Sequence, residues 1–250
     1  MRIERAGHAV RPFVFVRPRC HRGAMTMRKT ERRANLEAAE AKGMALFDAI
    51  ERAELIVPGK REDELNDEIA AFAREKFGVL HHWHKRIVRA GPNTVCIFHD
   101  DPQVHTIAPD DLVYLDLGPV LEEWEADLGR TYALGSDPVK RRLVADLPLL
   151  FDIVQAHYHA SPDITGEALY AFAQKTAAEA GWLFGGEIAG HTIHGKFPHP
   201  PLGREGRMIT AGNAKRMRDP DDRGDERHWI LEIHLVDKAR SFGGFYERLL

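Results

Sequence analysis

The sequence predicts an α/β fold (α+β) in which short strands, two of them in a hairpin, occur with four helices. Three observations predict it. Short apolar runs of β-forming residues occur at 111–115, 130–135 and 229–236. Four longer stretches carry apolar residues at three- and four-residue spacing. The first two apolar runs flank a segment opened by the turn pair Gly118-Pro119, as in a hairpin. At 250 residues the chain is long enough for one such domain with a substantial core.

Residues 1 to 33 are rich in arginine and poor in acids, with Arg2, Arg5, Arg11, Arg17, Arg19 and Arg22 ahead of a second candidate start at Met25 or Met27. An organelle-targeting segment or an anionic-surface contact are functional readings, but transit-peptide serine is absent and Phe13 to Val16 is too short for a secretory core. The segment 1–28 therefore reads as a disordered or mis-called extension before a domain at 29–250. From Thr30, Leu36, Ala39, Met44, Leu46, Phe47 and Ile50 recur at helical spacing to about Leu55, where Pro58-Gly59 breaks the chain. Asp63 to Phe77 reads as a second amphipathic helix ending at Gly78.

Val79 to Arg89 then carries His81, His82 and His84. Strand alternation places His82 and His84 on one face with Arg86, which reads as a polar pocket wall or a solvated edge rather than a metal site, because neighbouring cations oppose a metal. A third helix is predicted from Pro138 to about Ala160, with Leu143, Leu147, Leu150, Phe151 and Val154 inward and a kink at Pro148. A fourth follows Thr165-Gly166 through Ala180 and stops at Gly181. Residues 203–227 mix basic and acidic side chains and read as a long exposed loop flanking the pocket; a phosphate-binding role lacks the glycine-rich turn.

Against this frame, Asp116, Asp127, His191, Glu232 and Glu247 stand out. The chain has 38 acidic residues and 14 histidines, so the surroundings matter more than the residue types. Asp116 follows the apolar run 111–115 and Asp127 precedes the returning run, with ten residues between them, so a hairpin could bring both carboxylates to one pocket. Glu122, Glu123 and Glu125 between them read as its solvated tip. His191 lies in a glycine-flanked segment with His194, and His199 follows in a proline-rich run. Glu232 and Glu247 are acids inside apolar runs, although Glu247 also has Arg248 beside it. A buried carboxylate is costly unless paired or bound to metal. Four carboxylates and one imidazole suit hard or borderline divalent ions, and bridging carboxylates hold two such ions about 3.5–4 Å apart.

This order of Asp, Asp, His, Glu, Glu resembles the pita-bread metallopeptidases, the family of methionine aminopeptidases, prolidases and aminopeptidase P, over roughly residues 29 to 250. The resemblance implies an antiparallel curved sheet with helices outside it and two divalent ions. It implies that Asp116 holds one ion, Asp127 and Glu247 bridge both, and His191 and Glu232 complete the other. An activated water would attack the scissile amide, with Glu232 as proton shuttle. The family's substrate-facing histidine about seventeen residues before the first aspartate falls on His99. A second usually follows the ligand histidine by seven residues; His199 follows by eight, as if His194 had been inserted, which leaves His194 and His199 both as substrate-side candidates. The family's Glu-Pro-Gly is here Glu232-Ile233-His234, so the backbone turn after the ligand must differ.

The implied activity is removal of an N-terminal residue from short peptides. The segment Trp83 to Thr94 and the acidic hairpin favour the Xaa-Pro branch over methionine aminopeptidase. A metal-free creatinase-like carbon–nitrogen hydrolase and a non-catalytic binding module on the same fold are the other readings; all five ligand positions being filled argues against the first. The chain is too short for the N-terminal domain that prolidases and aminopeptidase P carry. Manganese, cobalt, iron and zinc all suit the donors. A net charge of -3 shows no bulk field for nucleic acid. No apolar stretch reaches the length of a membrane span. The two cysteines, Cys20 and Cys96, make no disulfide framework, which fits a reducing, cytoplasmic setting. A homodimer would be ordinary.

Overall fold

The structure is a computed structural model that describes residues 29–199 and 206–250. The arginine-rich extension at 1–28 lies outside the described residues. Four helices form where the apolar spacing places them: α1 (Lys29–Arg52), α2 (Glu62–Phe77), α3 (Pro138–Ala160) and α4 (Gly166–Glu179). Their ends follow local chemistry. Gly78 takes the left-handed conformation at φ 67° and closes α2 by donating its N–H to Arg74. Asp137 caps α3 by accepting from the Val139 and Lys140 amides, with Pro138 in the first turn, where a missing N–H costs nothing. Thr165 caps α4 through the Ala168 amide. Pro148 lies inside α3, and the helix continues through it.

The strands are β1 (Ile87–Ala90), β2 (Leu112–Leu117), β3 (Val120–Leu121), β4 (Trp124–Glu125), β5 (Leu128–Ala133), β6 (Leu183–Phe184), β7 (Gly190–Ile193), β8 (His228–Val236) and β9 (Gly243–Leu249). Seven of them form one sheet in the order β1-β2-β5-β9-β8-β6, with β7 also paired to β8. Each of these pairings is antiparallel. The small β3-β4 hairpin sits in the β2–β5 connection.

Alternation divides the side chains of each strand between two faces. On one face Val113, Leu115 and Leu117 of β2 pack with Leu46, Phe47 and Ile50 of α1 and Leu65, Ile69 and Ala73 of α2. Leu231, Ile233 and Leu235 of β8 pack in the same way with Leu143, Leu147 and Val154 of α3 and Leu169 and Ala173 of α4. The intervening residues, Asp116 and Glu232 among them, are left to the other face.

Two expectations change. Glu122 and Glu123 are exposed at the hairpin tip with φ of 50° and 72°, but Glu125 is fully buried. It faces inward from β4, where its carboxylate accepts the Gly195 amide at 2.9 Å. The described part of the polar loop, 206–227, has no helix or strand but is not merely exposed. Ile209 and Met217 are buried in the core, and the Trp229 indole donates to the Met217 carbonyl at 2.8 Å. Isolated apolar residues inside a charged stretch anchored it.

Gly190 illustrates a constraint of close approach. Its φ is +134°, and a Cβ there would overlap the Ile230 carbonyl oxygen across the β7–β8 pair. Gly190→Ala is expected to cost about 2–4 kcal/mol through strain and overlap. Thermal unfolding should show a midpoint lowered by about 5–10 °C; an unchanged midpoint would mean that the strand accommodates the methyl group.

Candidate metal centre

The sheet register builds the site. Asp116 of β2 pairs with Gly129 of β5, Gly129 with Glu247 of β9, and Glu247 with Glu232 of β8. Directly paired residues share a face, so three carboxylates stand in one lateral row across four strands. Gly129 contributes no side chain to the row, and a Cβ there would press on the Phe245 ring and the Glu247 Cβ. Asp127 enters from the connection just ahead of β5, and His191 from β7 beside β8.

The structure brings all five residues together. The His191 Nε2 lies 3.3 Å from Asp127 Oδ2, 3.5 Å from Glu232 Oε1 and 3.9 Å from Glu247 Oε1. Arg248 points elsewhere and pairs with Glu40 at 3.0 Å, so Glu247 is not a terminal ion-pair residue. A sixth side chain joins the cluster. The His84 Nε2 lies 3.0 Å from Asp127 Oδ1 and 3.7 Å from Asp116 Oδ1. The strand alternation inferred for 79–89 is interrupted, because β1 starts only at Ile87. The preceding residues instead strap against the β2–β3 turn, and His84, largely covered beside the acids, is not a solvated edge.

The substrate-side candidates lie further out. His99 is exposed, and its ring meets the edge of Phe98, which in turn meets the ring of His84. His194 and His199 stack at 4.9 Å between ring centroids. The His199 Nε2 lies 3.0 Å from Glu125 Oε1, so the buried glutamate of β4 steadies the loop after His191.

Electrostatics distinguishes the acids. Burial pushes Asp116 up to about 7 and Glu232 up to about 8. Burial and the neighbouring Asp127 and Asp116 also raise Glu247. Burial would raise Asp127 too, but His84 and His191 on either side outweigh it and hold this carboxyl below its ordinary range. Burial opposes charge on the two imidazoles, yet the carboxylates raise His84 to about 10 and His191 to about 9.

The residues fit divalent cations. Asp116 Oδ1 and Glu247 Oε2 are buried with no hydrogen-bond partner among the described residues, a cost that coordination removes. A ring nitrogen of His84 and one oxygen each of Asp116 and Asp127 lie within 4.8 Å of one another; His191, Asp127 and Glu247 form a second such group. A cavity of about 510 Å³ lined by Glu51, Arg130, Tyr132 and Arg141 contains none of these residues.

Solved structures share this architecture. A prolidase from Thermococcus sibiricus superposes with a TM-score of 0.64 at 21% identity, covering 87% of this chain and 55% of that one. A methionine aminopeptidase from Rickettsia prowazekii gives 0.64 at 16%, covering 89% and 94%. The fold is therefore the pita-bread fold of metallopeptidases. The chain belongs to metallopeptidase family M24, whose family model matches residues 34–218. That family generally uses divalent metal ions.

Among curated proteins, an Xaa-Pro dipeptidase of Lactobacillus helveticus is 31% identical over 137 residues, 54% of this chain and 35% of that protein. An Xaa-Pro dipeptidase of Lactobacillus delbrueckii subsp. lactis is 32% identical over 106 residues, 42% of this chain and 28% of that protein. The chain thus matches about a third of the length of these curated relatives.

Proposed function

We propose that residues 29–250 form the catalytic domain of a dinuclear metal-dependent exopeptidase that cleaves the N-terminal peptide bond of short peptides of Xaa-Pro type. The observation that carries this is the carboxylate row Asp116, Glu247 and Glu232 with Asp127 and His191 at its side, in which Asp116, Asp127 and Glu247 are buried and Asp116 Oδ1 and Glu247 Oε2 have no hydrogen-bond partner among the described residues. Xaa-Pro dipeptidase relatives support the substrate class. Asp116 would hold one ion, Asp127 and Glu247 would bridge, and His191 and Glu232 would complete the other. Manganese, cobalt, iron or zinc suits these donors. When bound, such ions polarise a peptide carbonyl and make water a nucleophile near neutral pH.

The chain supplies the rest. Glu232 would also take a proton from the attacking water and pass it to the leaving amine. His99, His194 and His199 stand on the substrate side, outside the carboxylate row. We place the protein in the cytoplasm, which two cysteines without a disulfide framework suit, and take a homodimer as its ordinary assembly; among the described residues no helix is long and apolar enough to cross a membrane.

Proline release from a panel of Xaa-Pro dipeptides, measured after loading with manganese or cobalt, tests the reading. Turnover of Met-Ala peptides with none of any Xaa-Pro substrate would move the chain to the methionine aminopeptidase class. Glu232→Gln keeps the side-chain shape but cannot take up a proton, so kcat should fall by about 10²–10⁴-fold. Metal content measured alongside separates loss of a ligand from loss of the proton acceptor; a variant that keeps both its metal and full activity would remove Glu232 from proton transfer.

A further inference from the structure

The five residues account for Asp127 Oδ2, which faces His191, but not for what faces Asp127 Oδ1. That partner is His84, whose side chain is 13% exposed. Three features hold its ring. The Trp83 amide donates to the Gly118 carbonyl at 2.9 Å and the Val120 amide to the His81 carbonyl at 3.0 Å, strapping residues 81–83 to the turn after β2. The Trp83 indole donates to the Ala126 carbonyl at 2.9 Å, and its ring stands edge-on to both His84 and His191. Gly118 leaves the space the imidazole fills, since a Cβ there would overlap the His84 Cδ2 and Nε2.

The second ring nitrogen determines the chemistry. The His84 Nδ1 lies 2.8 Å from the Lys85 carbonyl oxygen, which can only accept, so Nδ1 carries the hydrogen. In the neutral ring Nε2 then presents its lone pair to the carboxylates, the tautomer that metal-ligating histidines adopt. His191 is arranged alike, with Nδ1 3.3 Å from the Thr192 carbonyl oxygen and Nε2 toward the acids. The two imidazoles flank the two oxygens of one aspartate.

Resting on the metallopeptidase reading above, we propose that His84 is a sixth protein ligand of the centre, binding the ion held by Asp116 and Asp127, so that each ion carries one imidazole. The protein donors become four carboxylates and two imidazoles. The Asp116 ion then leans toward cobalt, iron or zinc rather than manganese. It also has one fewer position for water or substrate than a five-ligand centre leaves it.

The test uses the full chain, stripped with chelator and titrated with Co²⁺. X-ray absorption on the wild-type protein at saturation should count two imidazoles per two cobalt ions, and this readout needs no variant. In His84→Ala, calorimetry should show one of the two ions bound at least about 100-fold more weakly, since even the outer partners of metal ligands contribute 10–100-fold. The visible absorption of the bound cobalt should change with it. One imidazole per two ions, or a His84→Ala titration and spectrum superimposable on wild type, would overturn the proposal while leaving the peptidase reading intact. A wild-type protein that binds no cobalt would overturn the peptidase reading itself, and this inference with it.

Discussion

Replacing Asp127 by alanine is expected to abolish turnover, with kcat/KM for the best Xaa-Pro substrate falling by at least about 10⁴-fold. Asp127 is 3% exposed and belongs to both groups of potential ligands, with Asp116 and His84 on one side and His191 and Glu247 on the other. Removing it would take a donor from each of the two proposed ions and also the negative charge between two imidazoles. Asp116→Ala should be milder in metal content, because Asp116 belongs to one group only. Asp127→Asn keeps the shape but replaces a ligating oxygen with an amide that donates, so it separates loss of charge from loss of volume. Elemental analysis beside the proline-release assay checks this: Asp127→Ala should retain well under one ion per chain and Asp116→Ala close to one. An active Asp127→Ala protein holding two ions would sink the assignment of the centre.

The parts of this arrangement legible in the sequence share one property: each is announced by a local pattern. Asp116 and Glu232 interrupt apolar runs, and a carboxylate inside a buried strand demands an explanation. The caps of α3 and α4 and the glycine ending α2 follow from side chains within a few residues. What the sequence withheld depends on long-range register. Glu125 sits among acids at a hairpin and reads as one of them, yet the bond from Gly195, seventy residues on, buries it. His84 is more telling. Period-two reasoning groups it with His82 and Arg86, and that grouping held the segment to be extended. The chain departs from the strand before Ile87 because the Gly118 carbonyl and the Val120 amide capture it. The surviving sequence signal is Gly118 itself, a residue without a side chain beside Asp116, where something bulky must approach.

The metal-free protein should lose stability as pH rises, and added metal should reverse the trend. In the folded chain His84 and His191 are raised to about 10 and about 9 from an ordinary 6.5, and Asp116 and Glu232 to about 7 and about 8 from 3.8 and 4.5. For the histidines, the stabilisation is fully present below pH 6.5 and is lost as pH climbs through the folded values. For the two acids, folding is favoured while they are protonated, and that advantage disappears as pH rises from their ordinary values to their folded ones. All four groups thus hold more protons folded than unfolded, so stability falls with pH across this window. Asp127, shifted the other way, acts only below its ordinary 3.8. Between pH 6 and 9 the melting temperature of chelated protein should therefore drop by several degrees, at roughly 2–4 °C per kcal/mol for a chain of this size. Metal at a hundred times its dissociation constant adds about 2.7 kcal/mol per ion. Its ligands must be deprotonated to bind, so the gain grows over the same range in which the stripped protein weakens. A stripped protein that melts higher at pH 9 than at pH 6, or one whose melting temperature ignores manganese and cobalt alike, would show that this cluster of acids and imidazoles is held together by something other than the cations it is built to bind.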